Sequence, residues 1–308
     1  MFFQVAKQGE NHWWQYLITF FVVFLGWQIV GAVPLLIGIF FIMSADSNPA
    51  EMMAALEKMD FAALGMNPLV GLTLLIVSFA FGLFSLWLMV KYVHKRPFKT
   101  LITPRAAVDY RKIAVGAGLW FAFMGIFEVG SYFLDPENYV FNFEPATFIP
   151  LLLIALFLLP IQTSFEEILF RGYFMQGLGL AVKNRWLPLL LTSFFFGAMH
   201  FVNPEVKEYG IGIMMVNYMG IGLMLGIITL MDDGLELALG VHAANNIYGA
   251  TMVTFSASAL KTPALFTVVE LDVYASTVAV IIGGTIFVLI LAKMYGWKNW
   301  GEKLGGRC

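Results

Sequence analysis

Residues 146–165 read ATFIPLLLIALFLLPIQTSF, and residues 166–171 read EEILFR. About 20 uncharged residues are what a helix needs to cross the hydrocarbon core of a bilayer. The run therefore predicts a membrane span, and it ends on two adjacent carboxylates. A carboxylate at or near membrane depth is costly and is usually retained for function.

The same character extends over the whole chain. Its 308 residues are 60% hydrophobic and 12% charged, against roughly 25% charged in a soluble domain. A globular chain of this size has no interior large enough to hide that apolar surface. The composition excludes a soluble enzyme or a nucleic-acid binder and predicts an all-α polytopic protein of a cell (plasma) membrane, with the lipid bilayer as its first partner. Eight apolar runs qualify as spans, near 14–43, 64–90, 113–134, 147–170, 186–202, 209–231, 235–256 and 272–295. The first is too long for a signal-peptide core and is read as a true span. The single cysteine, Cys308, is terminal, so neither an intrachain disulfide nor a cysteine nucleophile is indicated.

Charge is distributed unevenly between the spans. Lys91, His94, Lys95, Arg96, Lys99, Arg105, Arg111 and Lys112 follow the second span. Arg171, Lys183 and Arg185 follow the fourth, and Lys293, Lys298, Lys303 and Arg307 lie in the tail. Acids dominate the other side: Asp46, Glu51, Glu57 and Asp60, then Asp135, Glu137 and Glu144. Basic loops stay in the cytoplasm, so both termini are expected there. The segment between spans two and three is expected to be a basic interfacial helix or loop that sets topology. Trp13, Trp14, Trp297 and Trp300 fit an interfacial aromatic belt. The chain divides into N-terminal spans with the basic loop (1–145), a central core (146–256), and a last span with a basic tail (257–308).

The chemistry-bearing residues lie in the central part. Glu167 and Arg171 are four apart and share a helix face, which predicts an ion pair. Glu166 points about 100° away and is left free for water, a metal or a histidine. His200 follows Phe196 by four residues late in an apolar span. His242 and Asn246 are again four apart on one face, while Asn245 points elsewhere and suits a bond between helices. A base, a donor and an amide are the parts needed to activate water and hold an oxyanion. Glu166, His200 and His242 also form a three-ligand N/O set that a catalytic zinc accepts with an open fourth position. Neither His-Glu-x-x-His nor Gly-x-Ser-x-Gly occurs, so the zinc-protease helix and the serine-hydrolase elbow are absent.

The ordered trio Glu166-Glu167-x-x-x-Arg171, Phe196-x-x-x-His200 and His242-x-x-x-Asn246 resembles the three motifs of the CPBP family. These are the CAAX prenyl protease type 2 and ABI-type intramembrane proteases, including bacterial members linked to bacteriocin processing and immunity. The resemblance covers residues 166–246, and eight spans also match that family's helical core. It implies that Glu166 activates the attacking water with His200 sharing the role, and that His242 and Asn246 support the oxyanion. Glu167, Arg171, Phe196 and Asn245 would be supporting residues. Zinc or another divalent metal on Glu166, His200 and His242, and a metal-free glutamate mechanism, both remain open. The implied substrate is a membrane-associated or lipidated peptide or protein. A proton-coupled transporter built on intramembrane Glu and His residues, or a silent scaffold or bacteriocin-immunity protein, are the alternatives.

One count resists this assembly. At 1.5 Å per residue, His200 stands roughly 20 Å beyond Trp186, while Glu166 and His242 fall near the cytoplasmic side. Either span five begins near Leu189 or later, with Lys183–Pro188 dipping in, or span four runs on as a long helix past Arg171.

Overall fold

The apolar runs all become helices, and where the chain must break, capping residues stand ready. Asn67 precedes Pro68 and accepts from the Leu69 and Val70 amides; Asp109 accepts from Arg111 and Lys112; Asp272 accepts from Tyr274 and Ala275. Each takes up donors that a helix start leaves without partners. The protein is described by a computed structural model covering residues 2–42 and 48–308; Asp46, one of the acids counted above, lies outside the described residues.

In chain order the helices are α1 (Trp13–Ile42), α2 (Pro49–Glu57), α3 (Pro68–Val93), α4 (Tyr110–Leu134), α5 (Pro145–Val182), α6 (Trp186–Ala198), α7 (Pro204–Tyr209), α8 (Ile211–Asp232), α9 (Glu236–Thr251), α10 (Val273–Tyr295) and α11 (Trp300–Gly305). Among the described residues six are long and apolar enough to cross a membrane: α1, α3, α4, α5, α8 and α10. The protein is thus an all-α, multi-pass membrane protein, with six helices of spanning length where the sequence suggested eight. The expected spans at 186–202 and 235–256 are α6 and α9, of 13 and 16 residues. At 1.5 Å per residue neither bridges a hydrocarbon core of about 30 Å. The reason is visible in α9, which is buried on nearly every side. A helix enclosed by other helices needs no stripe of bilayer length.

Large apolar side chains cover the outer faces of the long helices. Leu36, Phe40, Phe41, Ile126, Phe133 and Leu134 are all exposed, a distribution suited to lipid rather than water. Trp13 at the start of α1 is also exposed, as an interfacial anchor requires.

The basic segment after α3 is not a free interfacial loop. His94 is fully buried, bonded through Nδ1 to the Glu10 carbonyl and through Nε2 to the Tyr173 hydroxyl, each at 2.8 Å. Burial pushes its imidazole below the ordinary histidine range. Arg96 donates to Gln176; Arg105 pairs with Asp232 and Glu236; Lys112 reaches Asp232 at 2.6 Å. These cations join helices rather than offering their charge to headgroups. The tail docks as well: Arg185 donates to the Lys303 and Arg307 carbonyls.

A small sheet adds to the helices. Strands β1 (Tyr139–Phe141), β2 (Val253–Phe255) and β3 (Phe266–Val268) stand in the order β1-β3-β2, with β3 antiparallel to β1 and parallel to β2. This ties the segment after α9 to the end of α4.

Helices α4 and α9 cross with their backbones in close approach. A Cβ at Gly240 would lie 2.0 Å from the Ile113 carbonyl oxygen, and one at Gly116 would lie 2.6 Å from that of Leu237. Small residues allow backbones to meet in this way where lipid supplies no hydrophobic drive. Gly240→Val is therefore expected to prevent stable folding, read as lost monodisperse yield in detergent. Gly118→Val, where a Cβ meets nothing within 4 Å, is expected to behave as wild type. Equal yields from the two would refute the close crossing.

Candidate active site

The order of the motifs becomes a site because two helices have matching lengths. Helix α5 runs unbroken in direction through Arg171 to Val182, the second of the two alternatives above. Pro160, which carries no amide hydrogen, leaves an irregular turn at Leu158. A widened π-helical turn follows at Ile168–Phe174; such turns often accompany functional sites. From the turn at 183–185 the chain returns along α6. Glu166 stands 16 residues before Val182 and His200 stands 14 after Trp186, about 24 Å and 21 Å at 1.5 Å per residue. The two side chains therefore reach the same level.

Glu167 and Arg171 form the expected ion pair, Nη1 to Oε1 at 2.7 Å, with both side chains fully buried. Arg171 also donates to the Gly222 carbonyl of α8 at 3.1 Å, and its guanidinium lies 4.4 Å from the centre of the Phe196 ring. Phe196 thus packs beneath the cation and beside both histidines. Glu167 Oε1 accepts a second bond from His242 Nδ1 at 2.8 Å. A carboxylate bound to Arg171 accepts only, so Nδ1 carries the hydrogen and Nε2 is turned toward Glu166 Oε2, 3.6 Å away.

Glu166 is 8% exposed and lines a cavity. The sequence left it without a partner on its own face; in the structure Gln162, one turn earlier, donates to Oε1 at 3.2 Å. The i, i+4 spacing of Gln162 and Glu166 was a signal within reach. His200 gives Nδ1–H to the Phe196 carbonyl at 2.7 Å, which leaves the Nε2 lone pair free. Its ring stacks on that of Tyr218, with centroids 4.1 Å apart. Asn245 turns to α4 and accepts from Trp120 Nε1 at 3.3 Å; its amide donates to Asn246 Oδ1. Asn246 is left with an NH2 group that has no hydrogen-bond acceptor among the described residues.

Glu166, His200 and Asn246 all line one cavity of about 740 Å³, bounded on its far side by Trp27 and Gln28 of α1 and Ser78 of α3. His242 stands directly behind Glu166 rather than in the wall. Two further wall residues escaped the sequence reading, Glu205 and Tyr218. Glu205 lies in what read as a span boundary and Tyr218 in an apolar run, so no local pattern marked either.

The donor set of Glu166, His200 and His242 suits a borderline divalent ion in type, but not in placement. Among the described residues no three His, Cys, Asp or Glu side chains gather closely enough to hold a metal. His200 is held toward Phe196 and Tyr218, and His242 toward Glu167.

Comparison with known proteins places this chain in a family. The family model for Rce1-like type II CAAX prenyl endopeptidases matches residues 145–248. An uncharacterized protein, YyaK of Bacillus subtilis (strain 168), is 34% identical over 263 residues, 85% of this chain and 85% of that protein. The chain belongs to the Rce1-like family. The matched residues run from the start of α5 into α9 and contain Glu166, Glu167, Arg171, Phe196, His200, His242, Asn245 and Asn246, while the cavity-wall residues Trp27, Gln28 and Ser78 lie outside them. No solved structure matches the chain.

Proposed function

We propose that this protein is an intramembrane endopeptidase that hydrolyses a peptide bond in a membrane-associated or hydrophobic peptide, with Glu166 as the base. The observation that carries this reading is the convergence of Glu166, His200 and Asn246 on one cavity among apolar helices. In the reaction, the Glu166 carboxylate takes a proton from a water molecule, assisted by the free Nε2 of His200. The oxygen attacks the substrate carbonyl carbon, and the carbonyl π electrons move onto its oxygen. The Asn246 NH2 donates to that oxyanion, while His242, behind Glu166, keeps its ring against that carboxylate. The C–N bond then breaks, and Glu166 returns its proton to the leaving amine. Glu167 and Arg171 hold the His242 ring in place.

Purified protein in lipid nanodiscs, incubated with quenched lipidated and hydrophobic peptides, tests the reading. Cleavage that survives a strong chelator supports it in full. Cleavage abolished by chelator and restored by one divalent ion overturns the metal-free step. No product from any peptide, with substrate-dependent proton flux in proteoliposomes instead, favours the carrier. Removing the amide donor alone, in Asn246→Ala, is expected to lower kcat by about 10²–10³-fold, the range for one oxyanion donor. KM should change little, because the ground-state carbonyl needs that donor less than the oxyanion does. A loss confined to KM would remove Asn246 from this role.

A further inference from the structure

Among the described residues the cavity wall contains two carboxylates, Glu166 and Glu205, and no lysine or arginine. Glu205 stands at the start of α7 and is 6% exposed. Its Oε1 accepts from the Tyr218 hydroxyl and, at 3.4 Å, from Asn203. Its Oε2 is buried and has no hydrogen-bond partner among the described residues. The nearest cation along the chain, Lys207, points elsewhere and pairs with Glu57 at 2.7 Å. A buried carboxylate without a counter-charge is costly. Glu205 lines the cavity in which the substrate is proposed to bind, so a cation entering with the substrate would supply the missing counter-charge.

We propose that Glu205 is a specificity subsite that takes a basic group of the peptide substrate, a lysine or arginine side chain. The proposal rests on the peptidase reading and narrows its substrate class to hydrophobic peptides carrying a positive charge close to the cleaved bond. Distance supports this arrangement. Tyr218 stacks on His200 with one face and bonds Glu205 with its hydroxyl, so the carboxylate stands about one phenol ring beyond His200. An extended peptide advances about 3.4 Å per residue, so the basic residue falls within about three residues of the cleaved bond. Two carboxylates in one cavity lined mainly by apolar side chains also repel acidic peptides, which gives discrimination by exclusion as well as by attraction.

Matched peptides differing only in Lys, norleucine or Glu at these positions provide the test. They are offered to wild type, Glu205→Gln and Glu205→Asp in nanodiscs of zwitterionic lipid, where surface charge does not concentrate them. Binding is read by fluorescence anisotropy and cleavage by product release, both with and without excess chelator. Wild type is expected to favour the Lys peptide over norleucine by at least about 10-fold in binding and in KM. Glu205→Gln should bring that ratio close to one, and Glu205→Asp should keep part of it. Cleavage of all three peptides without charge preference overturns the subsite and leaves the peptidase standing. A binding preference that Glu205→Gln erases, with no product from any peptide, keeps the cation site and overturns the peptidase. A preference that survives in a folded Glu205→Gln protein, or that chelator abolishes, overturns the assignment of the basic group to Glu205.

Discussion

Glu166→Gln is expected to lower kcat by about 10³–10⁴-fold, the upper part of the range for a positioned general base. The substitution isolates the chemistry. Glutamine has the volume of glutamate, and its carbonyl oxygen can still accept the bond that Gln162 gives to Oε1 at 3.2 Å. The amide lacks only the basic lone pair that takes the proton from water. Yield, melting behaviour and peptide affinity should therefore match wild type while product release disappears. His200, with its free Nε2, accounts for the residual rate, and Glu166→Gln combined with His200→Ala should remove it. Retention of more than about a tenth of wild-type kcat would remove Glu166 from the role of base. If the triple change Glu166→Gln, His200→Ala, His242→Ala leaves the biological effect intact, the protein is a scaffold.

Arg171→Met is expected to be strongly destabilising while still allowing the protein to fold. Its guanidinium is fully buried with Glu167 at 2.7 Å, and it also holds the Gly222 carbonyl of α8 at 3.1 Å. Removing one partner of a buried pair leaves the other charge uncompensated, at roughly 3–5 kcal/mol. The apparent melting temperature in detergent should fall by on the order of 10 °C. Restoring neutrality should recover most of that loss, because two neutral groups need no counter-charge. Arg171→Met with Glu167→Gln is therefore expected to melt well above Arg171→Met alone, and the amide oxygen introduced by Glu167→Gln would still accept from His242 Nδ1. If the double variant is as unstable as the single one, packing under the Phe196 ring, rather than charge, is the function of Arg171.

The amino acids announced the membrane, the helices and the ordered polar residues, because these are properties of composition and of local spacing. The Glu167–Arg171 pair was legible for the same reason, since residues four apart on a helix meet wherever that helix goes. The interhelical role of Asn245 followed from its angle to Asn246. The Gln162–Glu166 bond had the same spacing and was missed only because glutamine carries no charge to draw notice. Span count was less legible: α6 is as apolar as a span, α9 was read as one despite His242, Asn245 and Asn246, and the shortness of both depends on what encloses them. The basic segment after α3 read as a surface feature because its acidic partners, Asp232 and Glu236, lie more than 120 residues away.

By itself, then, the sequence determined that this chain is a helical membrane protein with a carboxylate, two histidines and an asparagine drawn from three separate apolar segments. Only the tertiary structure decided that α5 runs on past Arg171 far enough for α6 to return His200 to the depth of Glu166. It also turned His242 onto Glu167 and set Glu205 behind Tyr218 in the same cavity wall. The physical reason is range. Helix periodicity is written within a few residues, whereas depth, ring orientation and the company of a buried charge are set by helix lengths and close crossings between segments far apart in the chain.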